Sequence, residues 1–128
     1  MAPTAAAQPH SAACLDLSPL QGEPAGVLQA VHAAAAHFAG RYAQQASLTL
    51  LLPSAQARRW QDAGAGAAAR MLVSTLACEW GRRALRINAL EVPAGVEPQA
   101  LHPLLRYVCG SAAQYLTGQT LFCSAATQ

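Results

Sequence analysis

The sequence predicts an α/β domain built in three layers, a short and mostly parallel sheet of three or four strands with helices on both faces. Three observations predict it. Helix-like and strand-like stretches alternate along the chain, which favours parallel strands joined by helical crossovers. Ser47-Leu48-Thr49-Leu50-Leu51-Leu52 is a continuous apolar run closed by Pro53, the pattern of a strand buried on both faces. The composition, 53% hydrophobic and 11% charged over 128 residues, suits one domain with a real core and excludes a disordered chain.

Each element has its own signal. Residues 1–13 are rich in Ala, Pro and Gln and lack the basic and apolar regions of a signal peptide. They read as a flexible N-terminal tail, leaving 14–128 as the domain. Cys14-Leu15-Asp16-Leu17 alternates and predicts a short strand, and Ser18 to Glu23 a turn. From Pro24 to Ala43, apolar residues Val27, Leu28, Val31, Ala34, Ala35 and Phe38 recur at helical spacing, with Pro24 in the first turn and Gly40 weakening the end. After the apolar strand, Ser54 to Gln61 reads as a loop. Asp62 is placed to cap a helix running to Arg82 or Arg83, with Ala68, Met71, Leu72, Thr75, Leu76 and Cys78 as its stripe. Leu85, Ile87 and Ala89 alternate with Arg86 and Asn88 in the next strand. Pro93-Ala94-Gly95 is a turn, Pro98 to Cys109 a helix, Thr117-Gly118 a turn, and Gln119 to Cys123 the last strand.

The charges exclude several functions. All eight basic residues are Arg, so no Schiff base, phosphate-loop lysine or Tyr–Lys proton relay can operate within this chain. The arginines are scattered at a net charge of +2, with few aromatic residues, which predicts solvated helix ends and loops and no nucleic-acid face. No apolar run approaches the roughly 18 residues of a membrane span. Cys14, Cys78, Cys109 and Cys123 have no zinc-site spacing, and the expectation is buried free thiols in a reducing cytoplasm. Ser11-Ala12-Ala13-Cys14 lacks the apolar segment that would make it a lipoprotein cleavage site.

Two local patterns are set aside. Gly64-Ala65-Gly66-Ala67-Ala68-Ala69 matches Gly-x-Gly-x-x-Ala, but about a dozen residues separate it from the preceding strand. A dinucleotide loop must follow its strand directly to bring backbone amides to a pyrophosphate. His32 and His37 are five apart and do not stack on one helix face, and neither His10 nor His102 completes a metal site.

Two further segments carry a resemblance. The run from Ala77 to Ala89, with Glu79 and Arg86-Ile87-Asn88-Ala89, resembles the Ala-x-Glu-Leu…Gly-Ile-Arg-Val-Asn-Ala segment of the short-chain dehydrogenase/reductase family. Tyr107 to Leu121, with Ser111, Ala112, Tyr115-Leu116-Thr117-Gly118-Gln119, is similar to the family's Phe-Leu-x-Ser-x-x-Ala-x-Tyr-Ile-Thr-Gly-Gln segment. Gly26 to Phe38 and Ser47 to Ser54 resemble its fourth helix and fifth strand. The match spans residues 24–126 and implies the C-terminal half of a Rossmann-like fold, hence a partial Rossmann-like domain.

The resemblance also implies what is changed. The family's Gly-rich cofactor loop has no counterpart before residue 20. Counting back from Glu79 puts Asp62 at the position of the catalytic Tyr and Gly66 at that of the Lys, and the family's Asn falls near Glu23. Ser54 is the single candidate for a catalytic residue, at the position of the family's Ser. No residue is a candidate for cofactor or metal binding. The expected function is therefore that of a non-catalytic subunit, forming a homodimer or a heterodimer with a full-length reductase through its two long helices. No cofactor is expected for the isolated chain, and NAD(P) only if a partner completes the site. The alternatives are a divergent NAD(P)-dependent oxidoreductase completed by a partner chain, and a decayed gene fragment.

Overall fold

A computed structural model describes residues 11–54 and 59–123. In chain order the elements are β1 (Ser11–Asp16), α1 (Pro24–Arg41), β2 (Ala46–Pro53), α2 (Trp60–Trp80), β3 (Leu85–Val92), α3 (Pro98–Cys109) and β4 (Thr120–Phe122). Single 3-10 turns at Ser18–Leu20, Gly81–Arg83 and Ser111–Ala113 join them. The strands form one four-stranded, wholly parallel sheet in the order β1-β2-β3-β4.

Period-two alternation distributes the buried side chains between two helical layers. Leu48, Leu50 and Leu52 of β2 and Leu85, Ile87 and Ala89 of β3 face α1 and α2. They pack with Val27, Val31, Ala35, Phe38, Ala69, Val73, Ala77 and Trp80. Leu51, Leu90 and Val92 point the other way and meet Leu101 and Val108 of α3. Both faces are covered, and all eight residues of β3 are buried. With Arg86, Asn88 and Glu91 among them, a strand with three polar residues holds the inside of the sheet only because partners from the flanking elements reach those side chains.

The small side chains of α1 and α2 let the two helices pack side by side on one face. Phe38 is the aromatic anchor there, its ring 5.0 Å from Tyr42 and 5.4 Å from Trp80. Arg83 closes the far end of α1, donating to the carbonyls of Ala39 at 2.8 Å, Tyr42 at 2.6 Å and Ala43 at 3.1 Å. A cation on carbonyls at and just past a helix C-terminus satisfies their hydrogen bonding and complements the helix dipole.

The structure corrects four expectations. Residues 11–13, assigned to the tail, belong to β1 and pair with Ala46, Ser47 and Leu48. Backbone pairing, invisible in an Ala-rich stretch, decides that boundary; the tail before Ser11 lies outside the described residues. Asp62 does not cap α2. The cap position is Arg59, without a side-chain bond, and Asp62 sits in the first turn, ion-paired to Arg59 at 3.5 Å. The thiols are not buried, for Cys14 and Cys78 are exposed and Cys109 and Cys123 partly so. Cys14 lies on an edge strand, and Cys78 falls out of phase with the buried Ala69, Val73 and Ala77 of α2. Nor are all the arginines solvated, since Arg83 caps α1 and Arg86 is 6% exposed.

Candidate functional site

The carboxyl ends of parallel strands are where α/β folds place their ligands. At that end of this sheet, the turn after β1, the end of β2 and the first turns of α2 enclose a cavity of about 20 Å³. Its walls include Gln21, Glu23, Ser54, Asp62, Gly66 and Glu91. The four positions that the family resemblance marks as catalytic, Glu23, Ser54, Asp62 and Gly66, thus share one cavity although 43 residues of sequence separate the first from the last.

Ser54 is fixed by its backbone. Its amide donates to the Val92 carbonyl at 3.1 Å, and its own carbonyl accepts from Gln21 Nε2 at 3.3 Å. Asp62 is engaged by Arg59, which also reaches the Gly22 carbonyl at 3.5 Å. At the cavity wall Glu91, 4% exposed, accepts from Arg70 Nη1 at 2.7 Å, and the Arg70 guanidinium lies over the Phe122 ring at 5.8 Å. Asp62 and Glu91, two of the three carboxylates in the cavity wall, are therefore tied to guanidinium groups. No tyrosine lines the cavity, and the only amine-bearing alternative, lysine, is absent from the chain.

Sequence reasoning points to Glu23, Ser54, Asp62 and Gly66, which the fold brings to one cavity, but not to Gln21, Arg59, Arg70 and Glu91 around them. A signal for Glu91 exists. It shares the phase of Leu85, Ile87 and Ala89, and a carboxylate on the core face requires a buried cationic partner. The Gly64–Ala69 pattern lies inside α2, where its amides belong to the helix and form no phosphate loop. Among the described residues no three His, Cys, Asp or Glu side chains converge as metal ligands.

The two family-like segments form one unit in space. Arg86, at the start of β3, donates to the carbonyls of Ala113 at 2.7 Å, Gly110 at 3.2 Å, and Val108 and Leu116 at 3.3 Å. Asn88 donates to Leu116 at 2.9 Å and accepts from the Gln119 amide at 3.1 Å. Thr117 Oγ1 accepts from the Ile87 amide at 3.1 Å. Gly118 adopts φ +77°, and a Cβ there would come 3.0 Å from that of Ala77. Burial pushes the Arg86 guanidinium below its ordinary value, partly offset by nearby Cys109. These motif residues thus build a scaffold at the opposite end of β3 from the cavity.

No protein-family model and no curated protein matches the chain. Among solved structures it is similar to 4-hydroxyisoleucine dehydrogenase complexed with NADH, with TM-score 0.63 and 16% identity, covering 77% of this chain and 55% of that one. It is also similar to a short chain dehydrogenase from Mycobacterium smegmatis, with TM-score 0.56 and 21% identity over 80% of this chain and 46% of the other. The chain spans about half the length of these structures. Its fold is accordingly Rossmann-like, of the kind found in dehydrogenases.

That fold implies a nicotinamide dinucleotide, which the residues present do not fit. The cavity has room for about one water molecule, whereas small-molecule sites run to roughly 300–1,000 Å³. The glycines that resemble a phosphate loop are helical, and the strand order, among the described residues, contains no reversal at which a dinucleotide crevice opens.

Proposed function

We propose that this chain is a non-catalytic, reductase-like subunit that acts by assembling with a second copy of itself or with a complete reductase. The observation that carries this reading is the cavity at the carboxyl end of the sheet. It gathers the positions that would do the chemistry, and they hold Asp62 and Gly66 in place of a phenol and an amine, around space for one water. A general acid of the family's kind needs a hydroxyl whose proton a neighbouring cation can loosen. Ser54 can donate a hydrogen bond but has no lysine beside it.

The outer surface of the α1–α2 layer supports assembly. A shallow, mostly apolar groove of about 150 Å³ runs between the helices, with Ala36, Ala39, Leu72, Leu76 and Trp80 in its walls and His32 as its polar member. Met71 of α2 is 68% exposed and Trp60 80%. Exposed apolar surface of this kind marks association sites in soluble domains.

Three measurements on the purified chain test the proposal. Light scattering after size-exclusion chromatography is expected to show a dimer, or a complex when a complete reductase is added. NADH or NADPH with a carbonyl substrate is expected to give no turnover above a vector control, and neither nucleotide to shift the melting temperature. A well-folded monomer that captures no reductase refutes assembly. Turnover by the chain alone refutes the non-catalytic reading, and turnover that arises only in the complex favours a divergent NAD(P)-dependent oxidoreductase completed by its partner.

A further inference from the structure

The cysteines that the sequence disperses over more than a hundred residues do not stay dispersed. Cys14 on β1 is the register partner of Thr49 on β2. Register partners on neighbouring strands stand roughly 5 Å apart with their side chains on one face. On that same face the last residue of α3, Cys109, brings its thiol to Thr49, Sγ to Oγ1 at 3.4 Å. One threonine therefore flanks both sulfurs, and α3 packs against β1 as well as β2. Cys14 is exposed and Cys109 partly exposed, so small oxidants reach both. Cys109 also lies close enough to be felt by the Cys14 thiol. Partial desolvation pushes the Cys14 thiol up, and Cys109 and Asp16 add to the rise.

We infer that Cys14 and Cys109 are a reversible dithiol/disulfide pair, a modification site that joins the edge strand to the end of α3. The oxidant is a peroxide. The thiolate of one cysteine attacks the peroxide O–O bond and becomes a sulfenic acid, releasing one water after protonation. The second sulfur then attacks the sulfenic sulfur, forming the S–S bond and expelling the hydroxyl as a second water. Two thiols are oxidised by two electrons and one peroxide is reduced to two waters. A low-molecular-weight thiol restores the pair by exchange. The inference is independent of the reductase-like reading, because it uses neither the cavity nor the α1–α2 surface.

The test uses the full chain carrying Cys78→Ser and Cys123→Ser, which leaves Cys14 and Cys109 as its only thiols. Hydrogen peroxide is expected to remove both from thiol titration, to lower the intact mass by two hydrogens, and to give a dithiothreitol-sensitive link between tryptic peptides 1–41 and 107–128. Adding Cys14→Ser or Cys109→Ser to this background is expected to abolish the link. Non-reducing chymotryptic mapping of the oxidised wild-type chain, which separates Cys109 from Cys123, is expected to recover the same pair without any substitution. Thiols that remain alkylatable, oxidation to separate sulfinic acids, or linkage only between chains overturns the inference.

Discussion

Replacing Arg86 by Met asks how much of the fold hangs on one cation. The guanidinium reaches four carbonyls, one in the last turn of α3 and three in the segment between α3 and β4, at 2.7 to 3.3 Å, from a residue 6% exposed. Hydrogen bonds to a charged donor contribute about 1.5–3 kcal/mol each, and carbonyls left unpaired in a buried site cost about 1–3 kcal/mol. The four share one donor group and cannot simply be added. Met keeps the aliphatic stem, and some carbonyls will recover water, so the expected loss is about 3–5 kcal/mol. Against a total stability of roughly 5–15 kcal/mol, this is a large fraction. Urea unfolding followed by the fluorescence of Trp80, buried beside Phe38, measures it as a lower midpoint at unchanged slope. Arg86→Lys is expected to fall between wild type and Met, because an ammonium lacks the fork that spans several carbonyls. A Met variant within about 1 kcal/mol of wild type, below the worth of even one such bond, refutes the claim that Arg86 organises residues 108–116.

Three further outcomes are expected. Arg70→Met strands the Glu91 carboxylate and should cost about 1–3 kcal/mol, discounted for the partial exposure of Arg70, while the double variant with Glu91→Leu recovers much of it; a double-mutant cycle without coupling of about 1 kcal/mol counts against the pair. Gly118→Ala forces a side chain into φ +77° against Ala77 and should destabilise by about 1–2 kcal/mol, whereas Gly40→Ala on α1, where a Cβ meets nothing, should stabilise by about 0.5–1 kcal/mol; thermal melts of the two should move in opposite directions. Burial pushes the Cys14 and Cys123 thiols up, so the folded state resists their ionisation more than the unfolded state does. Stability should be level below the ordinary thiol range near pH 8.5 and fall as pH rises through it, and Cys14→Ser with Cys123→Ser should flatten that decline in urea titrations at stepped pH.

How legible the molecule is depends on what each residue must satisfy. β2 is legible because Ser47 to Leu52 are all buried and nearly all apolar, a pattern with few other solutions. β3 is legible as a strand but not as a fully buried one. Arg86 and Asn88 alternate with apolar residues just as solvent-facing residues would, and only the carbonyls brought in by residues 108–116 turn those positions inward. Ser11 to Ala13 carry no apolar pattern, since an edge strand with exposed side chains is specified by its backbone partners. At the site, a family pattern counted along one helix locates Asp62 and Gly66. It cannot supply Arg70 and Glu91, whose pairing joins residues 21 apart and depends on which face of β3 meets α2.

The placement of α3 has a geometric consequence. All four strands are parallel and lie in chain order, so the face on which each connecting helix sits determines the hand of its crossover. The helices α1 and α2 cover one face and α3 the other. The last crossover is therefore the mirror sense of the first two, and they cannot all obey the strong preference for right-handed connections. A strand–helix unit repeated along this chain would generate an open, one-sided ribbon. Changing hand after β3 instead brings a helix onto the second face while β4 still adds beside β3, and Arg86 and Asn88 hold the segment through which the chain returns to the sheet.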